Sequence, residues 1–334
     1  MPRNVPQFRL IAVILLCLVD WSFAGAADDP LESWNDGDSK RAIVAFVTKV
    51  TTEGGPDFLP FDRRIAVFDN DGTLWSEQPM YVQMAFAIDR LKELAPLHPE
   101  WQKTPLFQAV LAGNLAAAAI SGETGAMEVI GATHAGMTPE EFAEIVKAWL
   151  ARSRHPRFHR PYEECVYQPM LELLKYLRAN GFQTYIVSGG GVEFLRVFAE
   201  KVYGVPPQQV IGSTIKTRYE IRDGKPAILR LPELNFLCDK IGKPIEIQRR
   251  IGARPVMAFG NSDGDFEMLE YTTSGSGPRF GLIVHHTDSI RESAYDRFSL
   301  FGRLNHGLKE APKKGWTIVS IKDDWKQVFP APAE

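Results

Sequence analysis

The sequence predicts an α/β fold, a Rossmann-like parallel sheet core carrying an inserted all-helical cap domain. Short apolar, β-prone runs at 65–68, 182–187, 255–259 and 281–284 read as buried strands. Segments of helical periodicity alternate with them, which is the pattern of a parallel sheet. The gap between the first two runs, residues 76–160, reads almost wholly as helix, so a lid is expected there. The domain division follows: 27–75 and 161–334 form the core and 76–160 the cap. A length of 334 residues suits a large domain with an insertion, and a net charge of −3 with no basic excess gives no sign of nucleic acid binding.

The first 26 residues stand apart. Arg3 and Arg9 precede an apolar run at 10–19, and Ala24-Gly25-Ala26 follows as a small-residue site. This is the pattern of a secretory signal peptide, with cleavage expected after Ala26. The apolar run is too short for a stable membrane span. A retained N-terminal anchor is the alternative. An exported protein, periplasmic or secreted, is expected. Cys165 and Cys238 then remain, and two separate buried thiols are expected rather than a disulfide.

Along the chain, apolar residues recur at helical spacing in 38–50, with Asp38 or Ser39 as cap, and Gly54-Gly55-Pro56 ends that helix. Residues 78–94 read as one amphipathic helix, and Ala-rich segments surround Leu115. Thr138-Pro139-Glu140-Glu141 is a capping box with proline at the first helical position. The basic, proline-punctuated stretch 152–161 reads as a solvated linker, or alternatively as a positive rim. A helix at 168–180 stops at Gly181, and another follows from 192 to 203. Asp223-Gly224 sits between two β-like runs as a hairpin turn. A short helix is expected at 244–251.

The chemistry gathers where strands end. The first run leads directly into Asp69-Asn70-Asp71-Gly72-Thr73. In open α/β sheets ligands bind beyond the carboxyl ends of the strands. Two carboxylates one residue apart repel unless a cation lies between them, and a hard divalent ion, Mg²⁺ first, suits oxygen donors. The second run ends in Ser188-Gly189-Gly190-Gly191, a hydroxyl with closely approachable backbone N–H groups suited to phosphate. The 255–259 run ends in Asn261-Ser262-Asp263-Gly264-Asp265. Lys243, with Lys240 as competitor, supplies a positive charge before the short helix.

Taken in this order, the four segments resemble the motifs of the haloacid dehalogenase superfamily. With a C1-type helical cap the chain is most similar to the phosphoserine-phosphatase-like and acid-phosphatase branch. The resemblance implies a Mg²⁺-dependent phosphatase acting on small phosphate monoesters, and the leader pattern makes it an exported one. Asp69 is then the nucleophile, forming an aspartyl-phosphate, and Asp71 the general acid and base. Phosphate is bound by Thr73, Ser188, Gly189 and Lys243. Metal is bound by Asp69, Asp71, Asn261 and Asp265. Asn261 stands where many relatives carry aspartate, which removes one negative charge and leaves Asp263 and Asp265 as competitors for the place nearer the metal. An acid at Asp71 argues for phosphate esters over haloacids. The same residues would serve a phosphotransferase, and a non-catalytic exported protein that binds phosphate ligands is the third reading. Glu77 and Gln78 lie just beyond the first motif, where an acid of the phosphoserine enzymes faces the substrate amine, but Glu77 is off by one from that position and serine specificity is not carried over; Trp75, Met80 and Phe86 are expected to pack as core, and His134, His285 and His286 as structural or rim residues.

Overall fold

The computed structural model describes residues 29–114 and 122–331. The expected leader and the Ala-rich segment around Leu115 lie outside the described residues. Seven strands form one sheet in the order β4-β3-β2-β1-β5-β6-β7. They are β1 (Ile65–Phe68), β2 (Gln183–Gly191), β3 (Val210–Arg222), β4 (Lys225–Phe236), β5 (Met257–Gly260), β6 (Phe280–His285) and β7 (Thr317–Ser320). All neighbours are parallel except β3 and β4, which form an antiparallel hairpin at one edge. Its two-residue turn is Asp223-Gly224, both at positive φ (51° and 76°), as the mirror-image turns of tight hairpins require.

Every residue of β1 is buried, because helices cover both sheet faces. Its side chains alternate accordingly: Ala66 and Phe68 join one core, Ile65 and Val67 the other. The first core includes the helices Asp38–Thr51 and Gln168–Ala179, and the second the helices Gly242–Ile251 and Phe266–Thr273. Gly181, at φ +74°, ends the Gln168–Ala179 helix in the left-handed conformation that glycine tolerates.

Between β1 and β2 lie the helices Val82–Leu94, Pro105–Leu111, Gly122–His134 and Pro139–Arg152. The insertion has a small apolar core of its own, built around Leu91, Trp101, Phe107 and Val129. The capping box forms as expected: Thr138 Oγ1 accepts from the Glu141 N–H and Glu141 returns a bond to the Thr138 N–H. The first of these helices begins at Val82 rather than Gln78, because Gln78 is used elsewhere. Its amide donates to Ser299 Oγ and the Phe301 carbonyl, pinning the insertion's root to a distant loop.

The 192–203 stretch divides into two short helices, Val192–Arg196 and Ala199–Tyr203. The basic stretch before β2 ties down the chain rather than lining the site. Arg157 donates to the Ser289 carbonyl, and Arg160 lies over the Phe329 ring. Cys165 and Cys238 are separate buried thiols, each pushed up to about 12 by burial. Among the described residues no helix is long and apolar enough to cross a membrane.

Candidate active site

Strand register assembles the site. Phe68 of β1 lies level with Ile186 of β2 and Phe259 of β5. Asp69, Ser188 and Asn261 follow within two residues of these partners and so sit side by side, but β2 does not end at Val187 as expected: Ser188 to Gly191 continue the strand, and Gly191 pairs with Ser213 of β3. The Phe68 and Phe259 rings stack at 4.3 Å immediately beneath. The Asp69 N–H donates to the Phe259 carbonyl at 2.9 Å, which fixes the backbone where the strand ends.

Lys243 occupies the centre and is almost completely buried. Its ammonium donates to Asp69 Oδ1 and Asp265 Oδ1, each at 2.5 Å, and to the Val187 carbonyl at 3.0 Å. Burial alone would lower its pKa, but Asp265 and Asp69 outweigh that and raise it. Lys240 is exposed, so Lys243 is the lysine of the site. Burial, reinforced by Asp265, pushes the Asp69 carboxyl well above its ordinary value. Burial also raises Asp71, whose Oδ1 accepts from Trp75 Nε1 at 2.8 Å.

Asp265 is engaged on both oxygens. Oδ1 meets Lys243, and Oδ2 accepts from the Asn261 and Ser262 N–H groups at 2.9 and 3.0 Å. Asp263 turns away, with Oδ1 accepting from the Asn305 and Gly307 N–H groups. Of the two acids, then, Asp265 is the one in the site, and the geometry makes it a holder of Lys243 and of the loop. Thr73 is wholly buried and donates to Asn261 Oδ1 at 3.1 Å, so it orients Asn261 rather than facing the cavity. Asn261 Nδ2 donates to Glu77 Oε1 at 2.7 Å, and the Tyr295 hydroxyl donates to the same oxygen at 2.7 Å. Burial pushes Glu77 well above the usual carboxylate range. Gly72, at φ +74°, leaves room for this cluster: a Cβ there would collide with Asn261 Nδ2 and Glu77 Oε1. His286 secures the same turn by donating from Nε2 to the Gly72 carbonyl at 2.8 Å.

A cavity of about 460 Å³ opens above Asp69, Asp71, Ser188 and Lys243. Gly189, Gly190 and Gly191 form one wall, and the Gly190 N–H donates to Ser188 Oγ at 3.0 Å. The insertion closes the other side, with Gln83 and His134 among its contributions. The two walls are linked. The Gly191 N–H donates to Gln83 Oε1 at 2.7 Å, so Gln83 Nε2 donates to His134 Nε2 at 3.2 Å. His134 Nδ1 then carries the proton and donates to Thr133 Oγ1 at 2.7 Å, and that hydroxyl donates on to the Val129 carbonyl.

Burial, aided by the positive charges of Arg230 and Arg90, lowers the His134 pKa well below 6.5, matching this neutral tautomer. The sign follows from linkage. Below the ordinary imidazole value the unfolded chain takes a proton that folded His134 refuses. Stability contributed by neutral His134 is present above pH 6.5 and is lost at about 1.4 kcal/mol per pH unit as pH falls below it. Denaturant unfolding between pH 4.5 and 7 should therefore show an acid limb that is shallower, by one proton, in His134→Gln. Identical limbs would mean that His134 is charged in the fold.

Sequence reasoning missed Gln83, Arg230 and Tyr295, which come from a helix, the hairpin and a late loop. A polar residue beside Val82 and Phe86 on a packed helix was the one available signal, for Gln83. Comparison with curated protein sequences finds no significant match. Among solved structures, the fold is similar to a conserved protein of unknown function from Anaerococcus prevotii. The identity is 17%, the match covers 78% of this chain and 88% of that one, and the TM-score is 0.52. A protein of unknown function from Bordetella pertussis matches at 17% identity over 77% of this chain and 98% of its own, with a TM-score of 0.45. A probable phosphoserine phosphatase from Vibrio cholerae matches at 14% identity over 74% of this chain and 64% of its own, with a TM-score of 0.38. The haloacid dehalogenase-like hydrolase profile matches residues 66–270, the stretch holding Asp69, Ser188, Lys243 and Asp265, and the chain belongs to that family.

Proposed function

We propose that this protein is an exported, Mg²⁺-dependent phosphomonoesterase acting on small phosphate esters through an aspartyl-phosphate at Asp69. One observation carries the reading. Asp69 is held by Lys243 through Oδ1 alone, at the floor of a cavity walled by Asp71, Ser188 and a run of glycines. Its other oxygen takes no hydrogen bond from any described residue. That oxygen can attack phosphorus in line, forming the aspartyl phosphate while the bond to the leaving alcohol breaks. Asp71, whose proton affinity is raised by burial, gives that proton to the departing oxygen. It then takes a proton from the water that hydrolyses the acyl phosphate, releasing phosphate and restoring Asp69. Ser188, the glycine N–H groups and Lys243 face the charge spreading over the phosphoryl oxygens.

The residues suit a hard divalent cation. Among the described residues no three His, Cys, Asp or Glu side chains converge as a metal cage. The donors are instead mixed oxygens: Asp69, the Asp71 carbonyl and the Asn261 amide oxygen would hold the ion. Asp69, Asp71, Glu77 and Asp265 crowd together, and only Asp69 and Asp265 have a cationic partner within 4 Å. When bound, Mg²⁺ would offset this excess and the charge of the phosphate, keeping Asp69 ionised. The leader pattern at the N-terminus supports export, and the helical insertion is read as the cap that selects the ester.

Hydrolysis of p-nitrophenyl phosphate by the mature protein tests this. Turnover should appear with Mg²⁺ and vanish in EDTA. Turnover undiminished by EDTA would remove the metal from the mechanism, and none under any metal or pH would sink the phosphatase reading.

A further inference from the structure

The cavity has a second polar end. Arg230 of β4 lines it, is only 3% exposed, and lies with its guanidinium carbon 3.7 Å from the centre of the Phe142 ring. Among the described residues its Nε and Nη1 are buried with no hydrogen-bond partner. Among the described residues the acid acting on it electrostatically is Glu193, which lines the same cavity but lies beyond the 4 Å reach of an ion pair; His134, on which Arg230 acts, is neutral. Burial lowers the guanidinium to about 10, so it stays charged at neutral pH. A buried guanidinium without a carboxylate is unfavourable, and stacking on an aromatic ring offsets only part of the cost.

The backbone around Arg230 is fixed. Its N–H donates to the Met137 carbonyl at 3.0 Å and its carbonyl accepts from the Gly136 N–H at 2.9 Å. These bonds join the hairpin to the loop after the helix Gly122–His134. Gly131 of that helix packs so closely that a Cβ would lie 3.0 Å from the Pro232 carbonyl oxygen. The charge is therefore held at the seam of hairpin and insertion. Met84, Ile130, Ile215 and Leu234 give the same cavity apolar walls.

We propose that Arg230 is a specificity-determining residue, and that the preferred ligand is a phosphomonoester whose apolar body carries a second anionic group, carboxylate or phosphate, paired with Arg230. The proposal rests on the phosphatase reading for the first phosphate and adds the class of substrate. A charge-assisted guanidinium–oxyanion pair at this wall of the cavity supplies the partner that no described residue provides.

The test is calorimetric binding, with Mg²⁺ present, of ω-carboxyalkylphosphonates, α,ω-alkyldiphosphonates and methyl-terminated alkylphosphonates over a series of chain lengths. None has a hydrolysable ester. At one length or more, a probe with the second anionic group should bind wild type about tenfold tighter than its methyl-terminated partner, the worth of one charge-assisted contact. The carboxylate and diphosphonate arms identify which anion is preferred. Arg230→Met should collapse the ratio to near one, and Arg230→Lys should restore part of it. No preference at any length in wild type would overturn the proposal, even if Arg230→Met failed to fold, and so would a preference that survives in Arg230→Met. The p-nitrophenyl phosphate assay separates the two readings. Turnover without a preference for the second anion defeats this proposal alone; an Arg230-dependent preference with no turnover of either p-nitrophenyl phosphate or an ω-carboxyalkyl phosphate defeats the hydrolase reading and leaves the anion subsite standing.

Discussion

Asp69→Asn should leave a folded protein whose turnover of p-nitrophenyl phosphate is lower by about four orders of magnitude or more, the scale seen when a covalent nucleophile is removed. The amide oxygen of asparagine can still accept from Lys243, so the shape of the site survives. What disappears is the free carboxylate oxygen. Stability should move the other way. Folded Asp69 has a raised pKa, so its contribution is fully present below the unfolded value of 3.8 and is lost as pH rises through the folded value. Asparagine has no such loss. In EDTA, the stability of Asp69→Asn relative to wild type should therefore grow from pH 5 to pH 8, a site that trades stability for activity. Thermal unfolding at the two pH values checks this. Wild-type turnover in the variant would remove Asp69 as nucleophile, and a variant less stable at pH 8 would show that the carboxylate supports the fold.

How much of this was legible in the sequence depends on the scale of the signal. The buried strands, the capping box at Thr138 and the hairpin turn at Asp223-Gly224 are local, and each formed where its residues said it would. The positions of Asp69, Ser188 and Asn261 were legible because each directly follows an apolar run, and a parallel sheet delivers such ends to one edge, although Ser188 to Gly191 read as a loop and instead extend β2. β7 sits beyond the strongest apolar runs, and its four residues, only one of them fully buried, carry no comparable signal.

Within the site, residue types were readable but their pairings were not. Asp265 and Asp263 are two residues apart in one polar loop, and only the turn geometry aims one at Lys243 and the other at the Asn305 and Gly307 N–H groups. Thr73 reads as a phosphate contact until its hydroxyl is seen to meet Asn261. Arg230 carried no signal at all. An arginine on an alternating edge strand is ordinarily solvated, and here it is buried because the helical insertion folds over the hairpin.

Lys243→Met should be the most damaging single change to the fold in this region. Methionine fills much of the lysine stem's volume but gives nothing to Asp69, Asp265 or the Val187 carbonyl. Removing one partner from a buried ionic cluster typically costs about 3–5 kcal/mol, because the remaining charges stay buried and unpaired. The cost should depend on pH with a definite sign. Wild-type Lys243, its pKa raised in the fold, stays charged from pH 5 to pH 8, so its own titration adds no pH dependence there. In the variant Asp69, already pushed up by burial, escapes repulsion from Asp265 by binding a proton, which is easier at pH 5. The destabilisation, read by urea unfolding in EDTA, should therefore be larger at pH 8. Turnover should fall by about two to three orders of magnitude, as when one preorganised charge at a reacting centre is lost. Adding Asp69→Asn to Lys243→Met should return part of the stability at pH 8, since one of the two stranded carboxylates is gone, but none of the turnover. That pattern separates a lysine that holds the site together from one that only meets phosphate. A Lys243→Met protein as stable as wild type at pH 8 would mean the acids are satisfied without the ammonium, and the central place given to Lys243 would be wrong.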